Sequence, residues 1–356
     1  MKVKAPTNIA VLKYWGKHPL WEEYHIPNKS SLSFTVEGLY TETELEVEKG
    51  NGEIRFELNG REITPDMPEF EYVGKFLKKV FKIVPELKHY NYYVKSHNNF
   101  PTAAGYASSA SGFAALAKAL QVTFRELEPQ VYQKYLADER KLSVFARLGS
   151  GSATRSIPEQ GGFVAWWRGL DPHYPYGPEE VTPATFEKNL FASYAESLFP
   201  PEHWSDLRII YTHVEKKEKK IKSRAGMKQT VKTNPVYWSW VDYDEYVLAP
   251  KLVEAVRGKD FSTFAEVAIQ ASDGLHAMMY YTYPRIRYLN DTSEAIIEKI
   301  LELNQEETKA AYTFDAGPNA IVFTLAPYEN EVLSSLKEVV EDVYVTRPGK
   351  GPEVIE

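Results

Sequence analysis

Alternating apolar and polar residues predict β-strands in the first part of the chain. Residues 31–58 alternate in this way around the turn-forming Lys49-Gly50-Asn51-Gly52, which predicts a hairpin. A strand rhythm returns over residues 90–95 and runs into the polar residues that follow. Apolar positions at helical spacing, or alanine-rich periodic segments, predict helices over residues 72–84, 108–122 and 131–148.

The second half of the chain alternates between the two patterns. Strands are predicted over residues 207–213 and 320–324, helices near 247–257, 260–280 and 292–304, and a final helix and strand after these. Residues 168–205 carry several prolines and two aromatic-rich patches, which indicates a long surface excursion near a boundary. Because 356 residues exceed the usual size of a single core, we expect two lobes, 1–190 and 191–356.

Composition narrows the class of protein. A formal net charge of −7 argues against a general nucleic-acid binder, so any phosphate site is expected to be local. The chain has no cysteine, which excludes a thiol nucleophile, a disulfide and a thiolate metal site. The apolar run at the N-terminus is interrupted by Lys13, and no run reaches about 18 apolar residues, so we expect a cytoplasmic protein without a membrane partner.

Residues 101–110, PTAAGYASSA, form the strongest local signal for chemistry. They lie between a predicted strand and a predicted helix, where small residues let the backbone approach a phosphate and the helix N-terminus favours its charge. No Gly-Lys-Ser or Gly-Lys-Thr closes the loop, so it is not a Walker loop. A phosphate cradle and an ordinary tight strand-to-helix turn are both compatible with these residues.

Two further clusters and one lysine have a functional and a structural interpretation. Residues 147–155, RLGSGSATR, could hold an anion through serines and Arg155, or form a capped helix with a surface arginine. Asp315, within YTFDAGPNA, is either a turn-stabilising residue or a base. Lys13 either snorkels from a strand edge or faces a cleft.

Taken together, these segments resemble the diphosphomevalonate decarboxylase branch of the GHMP kinase superfamily. The matching segments occur in the family's order over nearly the whole chain: APTNIAVLKYWGK, SSLSFTV, NNFPTAAGYASSASGFAAL, RLGSGSATRS with GGFVAW, and YTFDAGPNAIVF. The resemblance implies an α/β (α+β) fold of two lobes, GHMP kinase-like. Its N-terminal lobe would be ribosomal protein S5 domain 2-like and its C-terminal lobe ferredoxin-like.

The resemblance also implies the reaction and its catalytic residues. A tertiary 3-hydroxyl is phosphorylated by ATP, and that phosphate then leaves together with CO2 to give an alkene. Asp315 would orient or deprotonate the hydroxyl, Lys13 would stabilise negative charge, and Arg155 would hold the substrate carboxylate. A crowded tertiary alcohol is a poor leaving group, so its conversion into a phosphate is chemically reasonable.

Binding residues follow from the same resemblance. ATP and Mg²⁺ are the implied cofactors, with Ser108 as a hydroxyl that contacts the metal. The implied cofactor-binding residues are Ala104, Gly105, Ser108, Ser109, Ser96 and Asn98. Positions around the phosphorylated mevalonate substrate match Tyr14, Lys17, Ser150 and Ser152. Relatives of this kind suggest a homodimer.

Departures from the family pattern concern the far end of the substrate and the ATP site. A family arginine before the first helix aligns with Glu69, while Arg224 and Lys29 could rebuild a clamp for one phosphate. These changes favour mevalonate 5-phosphate as the substrate, with isopentenyl phosphate as the product. Tyr106 replaces a leucine of the phosphate loop and either fills the nucleotide site or packs as the leucine did.

Four alternatives therefore stay open beside the 5-phosphate decarboxylase. They are a decarboxylase of mevalonate 5-diphosphate, an ATP-independent decarboxylase of the 3,5-bisphosphate, a small-molecule kinase without decarboxylation, and a non-enzymatic binding module. The presence of Asp315, Lys13 and Arg155 argues against the kinase, and the three separated clusters argue against the binding module.

Overall fold

The computed structural model describes residues 1–100, 108–173, 183–214 and 221–355. Its strands are β1 (Lys2–Leu12), β2 (Ser31–Lys49), β3 (Ile54–Leu58), β4 (Arg61–Ile63), β5 (Tyr90–Asn98), β6 (Phe163–Trp166), β7 (Ala195–Phe199), β8 (Leu207–His213), β9 (Ala310–Phe314), β10 (Ala320–Leu325), β11 (Asp342–Thr346) and β12 (Glu353–Val354). Its α-helices are α1 (Pro68–Ile83), α2 (Ser108–Leu127), α3 (Pro129–Val131), α4 (Glu139–Gly149), α5 (Pro183–Ala192), α6 (Ser223–Thr233), α7 (Tyr237–Tyr243), α8 (Ala249–Gly258), α9 (Phe261–Tyr280), α10 (Asp291–Leu303) and α11 (Glu329–Leu336).

The strands form two sheets, one in each of two lobes. The first sheet has the order β12-β1-β2-β5-β3-β4, with β6 and β7 attached to β2, and the second has the order β11-β8-β10-β9. The boundary near residue 190 stays a prediction: β7, which follows it, still belongs to the first sheet, and the second sheet begins at β8. Strand β12 pairs with β1, so the chain ends in the first lobe.

Hydrophobic cores lie between the layers of the described structure. Helices α1, α2 and α4 cover one face of the first sheet and bury Phe76, Leu116 and Phe145 there. The opposite face packs on the second lobe, where alternate residues of β8 and β10 point into the shared core and their neighbours point away from it. Helices α10 and α11 cover the outer face of the second sheet. The central core therefore joins the two lobes.

The predicted hairpin over residues 31–58 is wrong, because β5 lies between β2 and β3. Strand β5 pairs antiparallel with β2 and parallel with β3. The backbone N–H of Gly50 donates to the His89 carbonyl at 2.9 Å, and the side-chain oxygen of Asn91 accepts the N–H groups of Asn51 and Glu53 at 3.1 Å. The turn thus closes around the start of a strand that is distant in sequence.

The single helix predicted over residues 131–148 is also wrong. A π-helical turn, Tyr132–Leu136, ends before Asp138, whose backbone is extended. The Asp138 carboxylate accepts the N–H groups of Arg140 and Lys141 at 2.8 and 3.3 Å and so caps the start of α4. An N-cap aspartate inside an apolar period divides the segment into two elements.

The other predicted helices and strands are confirmed, with shifts at their ends, but the surface excursion over residues 168–205 is only partly correct. Residues Ala195–Phe199 form β7 within the first sheet, and Trp204 is buried. Across the described ranges, we find no helix long and apolar enough to cross a membrane.

Candidate active site

The candidate active site lies where the ends of two strands from different lobes meet. We call this region, around Lys13 and Asp315, the cleft. Lys13 directly follows β1 and Asp315 directly follows β9, and Lys13 Nζ donates to Asp315 Oδ1 at 2.7 Å. The Lys13 side chain is 4% exposed and the Asp315 side chain 45%. Burial lowers the pKa of Lys13, and the attraction of Asp315 opposes that shift. The pair is therefore anchored on the lysine side and open to solvent on the carboxylate side.

A main-chain hydrogen bond stabilises the turn after β9. The Gly317 N–H donates to the main-chain carbonyl of Asp315 at 2.7 Å, which closes the turn through the backbone. One carboxylate oxygen is engaged by Lys13 instead. This geometry favours the interpretation of Asp315 as a reacting group over that of a turn stabiliser.

Arg155 is a buried cation held by neutral groups. It lies in a 3₁₀ turn, Gly151–Ser156, and donates from Nε to Asn8 Oδ1 at 3.1 Å and from Nη1 to Ser31 Oγ at 3.0 Å. Among the described residues, no carboxylate lies within 4.0 Å of its guanidinium. Burial lowers the pKa of Arg155 to about 10, so the group stays charged at neutral pH. The surface-arginine interpretation is wrong, and a buried guanidinium with neutral partners is suited to bind an anion such as a carboxylate.

Serine hydroxyls connect the start of α2 to the 3₁₀ turn. Ser109 Oγ lies 3.3 Å from Ser150 Oγ, which in turn lies 3.1 Å from Ser152 Oγ. Helix α2 begins at Ser108. Ala104, Gly105 and Tyr106 lie outside the described residues, so the phosphate cradle stays a prediction.

Tyr14 presents an unsatisfied hydroxyl to the same cleft. Its ring lies 4.7 Å from that of Trp166, and its buried hydroxyl makes no hydrogen bond with any described residue. Burial raises the pKa of Tyr14 well above its ordinary value, so the hydroxyl is a neutral donor. A side chain at Gly151 would lie only 2.7 Å from the Tyr14 ring, which explains the glycine there.

Lys17 and Arg224 place positive charge beside the serine turn. Arg224 Nη2 donates to the Gly149 carbonyl at 3.1 Å, and its guanidinium lies 4.9 Å from the centre of the Tyr72 ring. Lys17 is half-buried, and burial lowers its pKa, with a further contribution from the charge of Arg224. Arg224 comes from the first turn of α6, so both lobes contribute cations.

Lys29 has a different environment from the one its predicted role requires. Its Nζ lies 2.5 Å from Asp244 Oδ2, both side chains are 1% exposed, and the ammonium lies 4.4 Å from the centre of the Trp240 ring. The next residue, Ser30, donates from its backbone N–H and its hydroxyl to Glu245 at 2.5 and 2.9 Å. These contacts favour a structural ion pair between the lobes over a substrate ligand.

The segment before Lys29 is tied to the second lobe as well. Asn28 Nδ2 donates to the Tyr237 hydroxyl at 2.9 Å, and that hydroxyl donates to the Trp15 carbonyl at 2.8 Å. Gly16 has φ of +111°, and a Cβ there would lie 1.6 Å from the Tyr237 oxygen, so only glycine fits. We call the contacts of residues 28–30 with Tyr237, Asp244 and Glu245 the interlobe bridges.

Ser96 and Asn98 lie at the end of β5, near the start of the undescribed loop. Ser96 Oγ lies 2.9 Å from Thr43 Oγ1, and Asn98 Oδ1 accepts from Thr41 Oγ1 at 2.7 Å. Thr41 also contacts Ser111 of α2 at 2.6 Å. Their polar atoms thus link β2, β5 and α2, and their role toward a cofactor stays a prediction.

Several residues of this region were not predicted from the sequence. Asn8 and Trp166, which contact Arg155 and Tyr14, lie within the matching segments, so their neighbourhood was a signal. His25 and Lys79 gave no signal, because a lone histidine and one lysine of a charged helix face are common on surfaces. His276 lies against the backbone of Phe314 and Asp315, and burial lowers its pKa to about 4.

Both lobes of the chain match domains of known proteins. Residues 5–175 match the diphosphomevalonate decarboxylase-like N-terminal domain, and residues 209–344 match the mevalonate 5-diphosphate decarboxylase C-terminal domain. The diphosphomevalonate decarboxylase of Candida albicans is 37% identical over 94% of this chain and 86% of its own length. The human diphosphomevalonate decarboxylase is 36% identical over 90% of this chain and 76% of its own length.

Solved structures of similar proteins share the fold. The mevalonate diphosphate decarboxylase of Staphylococcus aureus superposes with a TM-score of 0.83 at 30% identity, covering 100% of this chain and 97% of its own. That of Enterococcus faecalis, described for its mevalonate diphosphate-mediated ATP binding, gives 0.80 at 31% identity, covering 100% of this chain and 98% of its own.

The two-lobe fold and the cleft define the class of protein as a mevalonate-pathway decarboxylase of the GHMP kinase superfamily. Within that class, the chain belongs to the diphosphomevalonate decarboxylase family.

Proposed function

We propose that this chain catalyses the ATP-dependent decarboxylation of mevalonate 5-diphosphate to isopentenyl diphosphate. The observation that carries the proposal is the Lys13–Asp315 pair at 2.7 Å, with its carboxylate open to the cleft. Arg155 lies within electrostatic range of both groups and has no carboxylate partner among the described residues. A base, a cation and an anion-binding group thus converge on one cleft, as the chemistry requires.

The diphosphate is favoured over the monophosphate that the sequence suggested. The monophosphate interpretation depended on Glu69, Arg224 and Lys29. Glu69 lies in the first turn of α1, where a carboxylate is favourable near the positive end of the helix dipole. It is exposed and makes no hydrogen bond or ion pair with any described residue, so it has an explanation apart from the substrate. The relatives from Candida albicans and human are diphosphomevalonate decarboxylases, which supports the diphosphate as the substrate.

In this proposal each residue has one task. Asp315 accepts the proton of the 3-hydroxyl as the hydroxyl oxygen bonds to the γ-phosphorus of ATP and the bond from that phosphorus to ADP breaks. Lys13 stabilises the negative charge that develops on the hydroxyl oxygen. Arg155 holds the substrate carboxylate until the C3–O bond breaks and inorganic phosphate leaves with the electron pair of that bond. The electrons of the C1–C2 bond then form the double bond, and CO2 departs. The donor hydroxyl of Tyr14 is available to a substrate oxygen.

The start of α2 fits the phosphate groups of ATP. The helix has 20 residues and begins at Ser108, and the N–H groups of a helix's first turn can donate to a phosphate. Ser109 contacts the serine turn. We propose that Ser108 and Ser109 bind the nucleotide phosphates together with magnesium, and that Ala104 and Gly105 contribute backbone N–H groups. ATP supplies the phosphoryl group that makes the hydroxyl a leaving group.

Carbon dioxide release from mevalonate 5-phosphate and 5-diphosphate, each with and without ATP and magnesium, tests the proposed function. We expect release to require ATP and kcat/KM to be at least about tenfold higher for the diphosphate, because extra charge-assisted hydrogen bonds hold the second phosphate. A preference for the monophosphate would contradict the diphosphate assignment. Release from the 3,5-bisphosphate without ATP, combined with no ATP-dependent release from either the 5-phosphate or the 5-diphosphate, would contradict the proposed phosphorylation step.

In this proposal Arg224 binds the 5-diphosphate group of the substrate, away from the reacting carbon. Replacing Arg224 with alanine should therefore raise KM for the diphosphate about 10- to 100-fold while kcat changes little. Steady-state kinetics measure both constants. Lys228→Ala is the matched control, since Lys228 lies one turn further along α6 and its nearest carboxylate is Glu22 at 4.0 Å. An unchanged KM in Arg224→Ala would remove Arg224 from the substrate site.

A further inference from the structure

Lys79 is a half-buried lysine whose ammonium lies next to the residues that lead into the serine turn. It projects from α1, and its Nζ donates to the Leu148 carbonyl at 3.1 Å near the end of α4. The same ammonium lies 3.4 Å from His25 Nε2. An ammonium has three donors, and the described contacts engage two of them.

His25 does not neutralise this charge. Its Nδ1 lies 2.7 Å from the Arg147 carbonyl and must donate to it, so Nε2 is the acceptor that faces Lys79. Burial, together with the charges of Lys17, Lys79 and Arg224, holds the pKa of His25 well below its ordinary value. The imidazole is therefore a neutral acceptor that fixes the direction of the lysine.

Three cations thus gather with little compensating charge. The carboxylate of Glu22 attracts Lys17 but makes no ion pair with it, and its contact at 4.0 Å is with Lys228. No carboxylate of the described residues lies within 4.0 Å of the charged atoms of Lys17, Lys79 or Arg224. The nearby Glu23 is paired with Lys82 at 2.7 Å. Burial, together with the charges of Lys17 and Arg224, lowers the pKa of Lys79 to about 8. Such repulsion is relieved most directly by a bound anion of more than one charge.

Lys79 and Arg224 contact two successive main-chain carbonyls just before the serine turn. Ser150 belongs to the serine turn, Arg224 contacts the carbonyl of the preceding Gly149, and Lys79 contacts that of Leu148. Of the two carbonyls, the one that Lys79 contacts is further along the chain from Ser150. Stabilisation of the α4 C-terminus by a cation would account for the Leu148 contact alone, but not for the neighbouring Lys17 and Arg224.

We infer that Lys79 binds the terminal phosphate of the substrate and thereby sets the preference for a diphosphate over a monophosphate. This inference depends on the proposed function, and it adds a specificity-determining residue to that site. Because the second phosphate is the only group that differs between the two substrates, loss of Lys79 should affect one substrate and leave the other unaffected.

The test compares kcat/KM for mevalonate 5-diphosphate and 5-phosphate in Lys79→Gln and in the unmodified protein. We expect kcat/KM for the diphosphate to fall about 10- to 100-fold while that for the monophosphate changes less than about threefold. Lys79→Arg should recover most of the preference. Lys78→Gln, an exposed lysine of the same helix, is the matched control.

A purely structural role predicts a different result, namely an equal loss with both substrates and a lower melting temperature. That outcome, or an unchanged preference, would overturn the inference. Calorimetric titration with mevalonate 5-diphosphate measures the same contact without turnover. Weaker binding by Lys79→Gln supports the contact between Lys79 and the terminal phosphate even if the proposed reaction fails, and equal binding contradicts that contact.

Discussion

Asp315→Asn is expected to lower kcat by about 10³-fold or more, since general-base assistance contributes roughly 10² to 10⁴ and the charge beside Lys13 is lost as well. The amide cannot take the proton of the 3-hydroxyl. Because phosphorylation precedes the loss of CO2 in the proposed scheme, ADP formation and CO2 release should disappear together. Both are measured in one single-turnover experiment with mevalonate 5-diphosphate and ATP.

A control is needed because the substitution also removes the carboxylate that faces a buried lysine. Asp273→Asn is suitable, since Asp273 lies on α9 beside the same strand and accepts a hydrogen bond from the Tyr312 hydroxyl at 3.0 Å. It should retain most of the activity. Residual CO2 release by Asp315→Asn above about a tenth of the original rate would rule out its role as the base.

Arg155→Lys is the second change with a large expected effect. Lysine keeps the charge but loses the planar fork that contacts Asn8 and Ser31 and that we propose holds the substrate carboxylate. With hydrogen bonds to charged groups worth about 1.5–3 kcal/mol each, kcat/KM should fall about 10²- to 10³-fold. Steady-state CO2 release measures the loss.

The matched control for this substitution is Arg208→Lys. Arg208 donates from Nε to the Glu329 carboxylate at 3.0 Å and lies on β8 in the second lobe, away from the residues proposed to bind substrate. Its activity should be close to that of the unmodified protein. If Arg155→Lys remains within threefold of the unmodified protein, Arg155 serves only to connect Asn8 and Ser31.

The sequence predicted elements that local pattern determines and missed those that distant pairing determines. Helix α2 was found because its apolar period is intact over many residues. The β2–β3 hairpin failed because only tertiary structure inserts β5 between strands that are neighbours along the chain. The break at Asp138 could have been found, since aspartate is a preferred N-cap residue.

For the candidate site, the matching segments supplied the residues but not their neighbours. Lys13 and Asp315 are 302 positions apart, and no periodicity brings them to 2.7 Å. The sequence suggests that Glu69 replaces a substrate-binding arginine and that Lys29 binds a phosphate. It does not reveal that Glu69 lies in the first turn of a helix or that Lys29 lies in a buried ion pair. Lys79 could not be found, because its environment is created by His25 and the end of α4.

The interlobe bridges have a consequence for the entropy of catalysis. Lys13 and Asp315 belong to different lobes, and residues 28–30 fasten those lobes through Tyr237, Asp244 and Glu245 close to the cleft. A rotation of one lobe against the other would have to break these contacts before it could separate the catalytic pair. The loss of freedom that brings the two groups together is therefore incurred when the chain folds, not at each turnover.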